Sequence, residues 1–93
     1  MIVVFSQPAR GDIAAIYDFI ARENPAAAQR VASAIERATD RLAMFPHSGR
    51  KGAVETTREL VVPRLPYIVV YRVEPDTVEI ISVFHAAQDH PRG

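Results

Sequence analysis

The side chains of this 93-residue chain that could do chemistry are cations and histidines in its C-terminal half. Guanidinium groups hold phosphate or carboxylate bidentately, so clustered arginines would suit an anionic ligand. Lys plus Arg and Asp plus Glu each total eleven, which leaves no overall positive charge to attract a polyanion. Polyanion binding would therefore need local clustering of five cations, the alternative being a solvated surface: Arg50, Lys51, Arg58, Arg64 and Arg72.

Three histidines, His47, His85 and His90, could transfer protons, because imidazole exchanges its proton near neutral pH. Their spacing is too wide for a typical metal site, and the absence of cysteine excludes thiolate ligands. We expect no metal and no other cofactor. Histidines in such positions more often have a structural role or lie in solvent.

Two further pairs of residues leave their roles open. Tyr67 and Tyr71 are four residues apart, on one face of a predicted strand, where they could stack on bases or pack in the core. Glu59 and Glu79 form no convincing carboxylate pair for acid and base catalysis, so we expect both to be solvated.

The length predicts a single domain, 1–93, with one small core. Zero cysteines are compatible with a reducing compartment. The apolar run that follows Met1 is too short for a signal peptide or a membrane span. We therefore expect a cytoplasmic protein with no membrane partner.

Three runs rich in Val, Ile and Tyr predict consecutive strands, each closed by turn residues. The connections are too short for a crossover helix, so the strands should form an antiparallel meander. Arg72 lies in the apolar middle run, and its exposure depends on which face the helices cover. The predicted strands are 58–62, 67–73 and 77–85.

An earlier strand and two helices precede the meander. Ser6 and Asn24 are predicted N-caps, each followed by a proline in the first helical turn. Apolar residues at helical spacing, including Ile16, Ile35 and Leu42, mark the faces that should cover the sheet. The second stripe extends to Phe45. Segment 46–52 reads as a loop whose two glycines are free to take positive φ.

These elements predict an α+β fold: a strand, an antiparallel helix hairpin, then three antiparallel strands, with the helices on one sheet face. The first strand should lie at the sheet edge. The other face is left for solvent or for binding. The polar segment 89–93 should be a mobile tail.

An ordered set of motifs makes nearly the whole chain resemble the RelE/ParE toxin superfamily of bacterial type II toxin–antitoxin modules, most closely its ParE-like branch. The set starts at the Asn24-Pro25 break and includes Gly49-Arg50 and Arg58-Glu59-Leu60. It ends at the segment 85–88, His-Ala-Ala-Gln.

The resemblance implies a toxin that binds an intracellular target, DNA gyrase by analogy with ParE, and is neutralised by a ParD-like antitoxin in a hetero-oligomer. DNA would be contacted only indirectly, through the antitoxin. We expect the antitoxin to contact Tyr17, Ile20 and Leu65. The residues expected to bind the target are Arg50, Lys51, Arg58, Arg72 and His85.

Two alternatives stay open. The first is a metal-free, RelE-like messenger RNA endoribonuclease that uses Arg58 and His85 to stabilise charge and transfer protons. The basic cluster that RelE-type chains carry after the last strand is missing here, which favours the binding toxin. The second alternative is a small interaction module with no toxic activity.

Overall fold

The elements of residues 1–87, the part of the chain that the computed structural model describes, follow the predicted order with one addition. The addition is β2, a two-residue strand inside the segment predicted as a loop. The expected mobile tail, 89–93, and His90 lie outside the described residues. The elements are β1 (Ile2–Phe5), α1 (Gln7–Ala21), α2 (Pro25–Arg41), β2 (Arg50–Lys51), β3 (Arg58–Val61), β4 (Tyr67–Val73) and β5 (Thr77–His85).

Both helices begin where the sequence predicts. The Ser6 hydroxyl accepts a hydrogen bond from the Ala9 amide at 3.2 Å, and the Asn24 side chain accepts one from the Ala27 amide at 3.0 Å. Each cap satisfies one of the amides that the first helical turn leaves without an internal partner. Neither helix has the length and hydropathy needed to cross a membrane.

The end of α2 differs from the prediction. The helix stops at Arg41, and Phe45, which was expected to continue its buried stripe, is 55% exposed. Tight turns follow, in which the amides of Leu42 and Ala43 bond three residues back. Pro46 disfavours helical geometry at Phe45, so the apolar pattern outlasts the helix.

The five strands form one mixed sheet in the order β1-β5-β4-β3-β2. Strands β3, β4 and β5 form the predicted antiparallel meander, with β4 in the centre. Strand β1 lies at the edge, as predicted, and pairs in parallel with β5. These features confirm the α+β prediction.

The first and last elements are tied together by polar contacts besides the strand pairing. The Ser6 amide donates to the Ile80 carbonyl, and the Ser6 hydroxyl donates to the Ile81 carbonyl, both at 3.0 Å. The Asp12 carboxylate accepts from the Val83 amide at 3.0 Å. Helix α1 is thereby anchored to the far end of the sequence.

The helices cover the sheet face that carries Tyr67 and Tyr71, which are 8% and 0% exposed. Both tyrosines therefore pack in the core, and base stacking is excluded for them. They share that core with side chains of both helices and of β5, among them Ala9, Ile35, Leu42, Val78 and Ile80.

The opposite face carries Ile68, Val70 and Arg72, because successive strand residues alternate between faces. It is not uniformly open. Ile68 and Phe84, paired across β4 and β5, are 5% and 7% exposed, whereas Val61 on β3 is 49% exposed.

Two non-glycine residues occupy the left-handed region of the backbone. Thr56 has φ 72° in the turn before β3, and Arg64 has φ 67° in the turn before β4. Gly49 and Gly52, although free to take positive φ, both have negative φ.

Candidate functional site

The loop 46–49, which leads into β2, is fastened to the sheet by the hydroxyl of Tyr71. This hydroxyl donates to the Pro46 carbonyl at 2.7 Å and accepts from the Gly49 amide at 2.9 Å. A Cβ at Gly49 would lie 2.7 Å from both the Glu59 carbonyl oxygen and the Tyr71 hydroxyl. Glycine is therefore required at position 49 by close approach and not by backbone conformation.

Arg58 braces the same loop from β3. It is paired with Tyr71 across the two strands, which places both side chains on the helix side of the sheet. One guanidinium nitrogen, Nη1, donates to the Gly49 carbonyl at 2.7 Å and to the His47 carbonyl at 3.4 Å. Among the described residues Arg58 forms no ion pair, and its guanidinium is used for these backbone contacts.

Glu59 is buried, contrary to the expectation that it would be solvated. Its carboxylate is 6% exposed, forms an ion pair with Arg50 at 3.1 Å and accepts from the Ala53 amide at 3.4 Å. A buried carboxylate needs such partners, because losing hydration without them is costly. Glu59 therefore fastens β2 and the following turn.

Arg72 lies on the sheet face away from the helices, which answers the question that the sequence left open. Its Nη1 forms an ion pair with Glu79 at 3.2 Å, and its Nε donates to the Thr56 hydroxyl at 3.3 Å. Glu79 is thus half-exposed but paired.

His85 ends β5 on the helix side of the sheet. Its ring packs edge-on against Tyr67, with 5.3 Å between the ring centroids, and its Nδ1 accepts from the Ala87 amide at 3.0 Å. The lone pair of Nδ1 is therefore occupied by a backbone contact. These contacts favour a structural role for His85 at the end of β5.

The residues predicted to bind the target fall on two faces of the sheet. Cross-strand pairing places Arg50 with Glu59 and Val70, on the face of Arg72. Lys51 pairs with Arg58, on the face of Tyr67 and His85. The structure thus joins Arg50, Lys51 and Arg58 around one loop, on the two sides of β2 and β3. Arg72 and His85 lie apart from that loop.

A groove of about 1190 Å³ runs between α2 and the β3 strand with its following turn. Its floor is apolar, and four arginines line it together with that floor. The described lining residues include no carboxylate. The apolar floor includes Val31, Ala34, Ala38, Leu60, Val62 and Leu65, and the arginines are Arg30, Arg37, Arg41 and Arg64.

A second pocket, of about 580 Å³, lies between α1, α2 and the edge strand β1. Tyr17 lines this pocket with Phe5 and Ile13, whereas Leu65 lines the groove. Ile20 lines neither. The three residues predicted to contact an antitoxin are therefore distributed over more than one surface.

The sequence reasoning missed two parts of the site. It did not find the hydrogen-bonding role of Tyr71, because no sequence signal distinguishes a buried tyrosine from an exposed one. It also missed the three arginines that α2 contributes to the groove. Arg30, Arg37 and Arg41 recur at intervals of seven and four residues, which places them beside the apolar stripe of α2.

A family model described as the ParE toxin of the type II toxin–antitoxin system parDE matches residues 3–90. Toxin Y4kP from Sinorhizobium fredii is 47% identical over 74 residues, which cover 80% of this chain and 76% of that protein. Toxin RelE2 from Caulobacter vibrioides is 43% identical over 86 residues, which cover 92% of this chain and 96% of that protein.

Two solved structures share the fold. A chromosomal ParDE toxin–antitoxin system from P. aeruginosa superposes with a TM-score of 0.82, covering 91% of this chain and 95% of the other. The RelBE2 toxin–antitoxin complex from Mycobacterium tuberculosis superposes with a TM-score of 0.64, covering 90% and 95%. Sequence identity is 24% in both cases.

Proposed function

The chain belongs to the ParE toxin family of type II toxin–antitoxin systems, and from this premise we propose that it inhibits growth by binding a protein target inside the cell. DNA gyrase is the first target to test, because the resemblance is closest to the ParE-like branch. The proposed contact surface is the fastened loop, with Arg50, Lys51 and Arg58 around it.

A binding function is favoured by the contacts of the side chains that a ribonuclease would need for catalysis. Arg58 donates to two loop carbonyls, and the Nδ1 of His85 accepts from a backbone amide. Arg72 lies on the other sheet face. Metal-free RNA cleavage needs a proton acceptor and a cation directed at one phosphate. These contacts favour a rigid binding surface over a convergent catalytic site.

The decisive experiment compares purified toxin with gyrase and plasmid DNA against purified toxin with ribosomes and messenger RNA. We expect loss of supercoiling and no site-specific transcript cleavage. Transcript cleavage that disappears in His85→Ala, with gyrase unaffected, would assign the chain to the ribonuclease alternative. Failure of both assays together with normal growth on expression would leave the non-toxic interaction module.

Arg58 is the residue whose loss should weaken toxicity most. Removing its guanidinium releases the loop carbonyls of His47 and Gly49, so the surface around Arg50 and Lys51 loses its fixed shape. We expect Arg58→Ala to lower inhibition at least about tenfold, with antitoxin binding retained. Arg22→Ala, at the exposed end of α1, is the control. Full toxicity of a folded Arg58→Ala variant would contradict this role.

We also propose that a ParD-like antitoxin neutralises the toxin by covering both the pocket at Tyr17 and the groove at Leu65, with Ile20 at the margin of the contact. Two solved relatives of the same fold are described as toxin–antitoxin systems, which supports an antitoxin partner. Tyr17→Ala and Leu65→Ala should each weaken binding of an antitoxin encoded beside the gene. Unchanged binding in both variants would contradict this contact surface.

A further inference from the structure

The two edges of the sheet differ in how they are protected against pairing with a further strand. One edge is β2, whose two residues, Arg50 and Lys51, are both charged and exposed. The other edge is β1, which is longer and contains only apolar residues. No charged side chain occurs in the sequence before Arg10. Proteins usually guard an edge strand with charges, a proline or a bulge, and β1 has none of these.

The backbone of β1 also directs polar groups away from the sheet. The Ile2 amide donates to the Asp76 carbonyl at 3.3 Å, at the start of the pairing with β5. Because backbone groups alternate in direction along a strand, the amide and carbonyl of Val3 point outward, as do those of Phe5. The Phe5 carbonyl accepts from the Arg10 Nε at 3.3 Å. Within residues 1–87 no strand lies beyond Val3 on this side.

The exposed side chains of β1 make the strand complementary to itself. Ile2 and Val4 lie on the sheet face away from the helices and are 68% and 43% exposed. They stand on either side of Val3. In an antiparallel pair of β1 strands with a two-fold axis through Val3, Ile2 of each copy therefore lies opposite Val4 of the other. Both cross-strand pairs are apolar, and such pairs are the unit by which a sheet is stabilised.

We propose that β1 pairs antiparallel with β1 of a second copy of this chain, about a two-fold axis through Val3, so that two sheets join into one. Such an interface uses the same patch of surface on both chains. The edge carries no charge that could select an oppositely charged partner, whereas its own sequence supplies an apolar match at both exposed positions. Strands this short bury less than the about 1,200–2,000 Å² of a typical stable interface, so the dimer exchanges reversibly with the monomer.

The register is tested with cysteines, since the chain has none of its own. Residues 2 and 4 of opposite copies form a pair without direct hydrogen bonds, with Cα atoms about 4.5 Å apart, which a disulfide can bridge. Under mild oxidation, Ile2→Cys mixed with Val4→Cys should give at least about five times as much cross-linked dimer as either variant alone. Val61→Cys mixed with Val4→Cys is the control, because Val61 on β3 is 49% exposed.

Charge substitution tests the same pairing without a covalent bond. Sedimentation equilibrium should find dimerisation at least about tenfold weaker in Ile2→Lys/Val4→Lys, because like charges then lie directly opposite each other. Mixing this variant with Ile2→Glu/Val4→Glu should restore association, since every lysine then faces a glutamate. Val61→Lys should leave the dissociation constant unchanged. Thermal melting verifies that each variant is folded.

A wild-type chain that stays monomeric up to about 1 mM would overturn the proposal. Equal cross-linking with Val61→Cys, equal cross-linking of either variant alone, or no association of the mixed charge variants would do the same. If the chain is monomeric and its Val3 and Phe5 amides resist hydrogen exchange only after a cognate antitoxin is added, the edge belongs to that partner and the proposal is overturned as well. None of these measurements depends on which target the toxin inhibits, so their failure is distinguishable from failure of the toxicity assays.

Discussion

At the scale of single residues, the hydroxyl of Tyr71 has the clearest energetic role. It lies in the core and satisfies both a carbonyl and an amide of the loop 46–49. Removing it would leave the Pro46 carbonyl and the Gly49 amide without that partner in a buried position. Leaving a buried polar group unpaired costs more free energy than one hydrogen bond contributes on balance, because that bond only replaces a bond to water.

We therefore expect Tyr71→Phe to lower the free energy of unfolding by about 2 kcal/mol, measured by denaturant titration. Tyr17→Phe removes the same hydroxyl from a partly exposed ring and should cost less than about 0.5 kcal/mol. Equal losses in the two variants would show that the loop is not held by this hydroxyl.

Thr56 is a second residue with a testable cost. Its φ of 72° is unusual for a β-branched residue, because the side chain crowds the backbone in the left-handed region. Asparagine tolerates that region better, so Thr56→Asn should raise the free energy of unfolding by about 1 kcal/mol. The same substitution at Thr77, within a strand, should lower it. Destabilisation at position 56 would contradict the assigned backbone strain.

At the scale of elements, the helix hairpin should be most sensitive at its fully buried positions. Leu42 is 0% exposed and Ile35 is 1% exposed, whereas Ile16 is half-buried and packs against the edge of the core. We expect Leu42→Ala to cost about 2–5 kcal/mol. Ile16→Ala should cost about 1–2 kcal/mol, because less apolar surface is lost from the interior.

Phe19→Ala is the control for the helix substitutions, since its ring is 72% exposed on α1. Denaturant titration should find a loss below about 0.5 kcal/mol there. A larger cost at Ile16 than at Leu42 would show that α1, not α2, forms the centre of the core.

Elements with strong local signals were predictable from the sequence. The caps at Ser6 and Asn24, the helical stripes and the three long strands were all found, because each is encoded within a few neighbouring residues. Strand β2 was not, because two residues give no alternation. The facing of β4 was also undetermined, since Ile68 and Val70 are as apolar as the residues that alternate with them.

The candidate site was less predictable than the fold. Arg58 was singled out, but its contacts with the loop carbonyls depend on the register between β3 and β4, which no local pattern specifies. Glu59 was expected in solvent because the residues next to it offer no partner for a buried carboxylate. Its partner, Arg50, is nine residues away in the sequence. Contacts of this kind become visible only when the strands are paired.

At the scale of the whole molecule, the core is small, so a ligand that binds only the folded form has a large effect on the apparent free energy of unfolding. Binding an antitoxin at a free concentration of 100 times its dissociation constant would add about 2.7 kcal/mol to the apparent free energy of unfolding. For a domain of this length that corresponds to a rise in Tm of roughly 10 °C or more, measured by thermal melting. An unrelated acidic protein at the same concentration is the control, and an unchanged Tm with the cognate antitoxin would contradict neutralisation by binding.

The parallel pairing of β1 with β5 has a consequence for how the protein is made. During translation, β1 emerges first and the strand beside which it lies emerges last, so the edge of the sheet stays without its neighbour for almost the whole period of synthesis. Contacts between residues so distant in sequence also slow folding. We expect nascent chains arrested before Thr77 to be digested rapidly by protease and chains released after β5 to resist it. Protease resistance of the arrested chains would contradict this expectation, because it would show that β1 is protected before β5 has been made. Otherwise the domain is assembled in one late step, and a ribosome that stalls or terminates early releases an inert fragment.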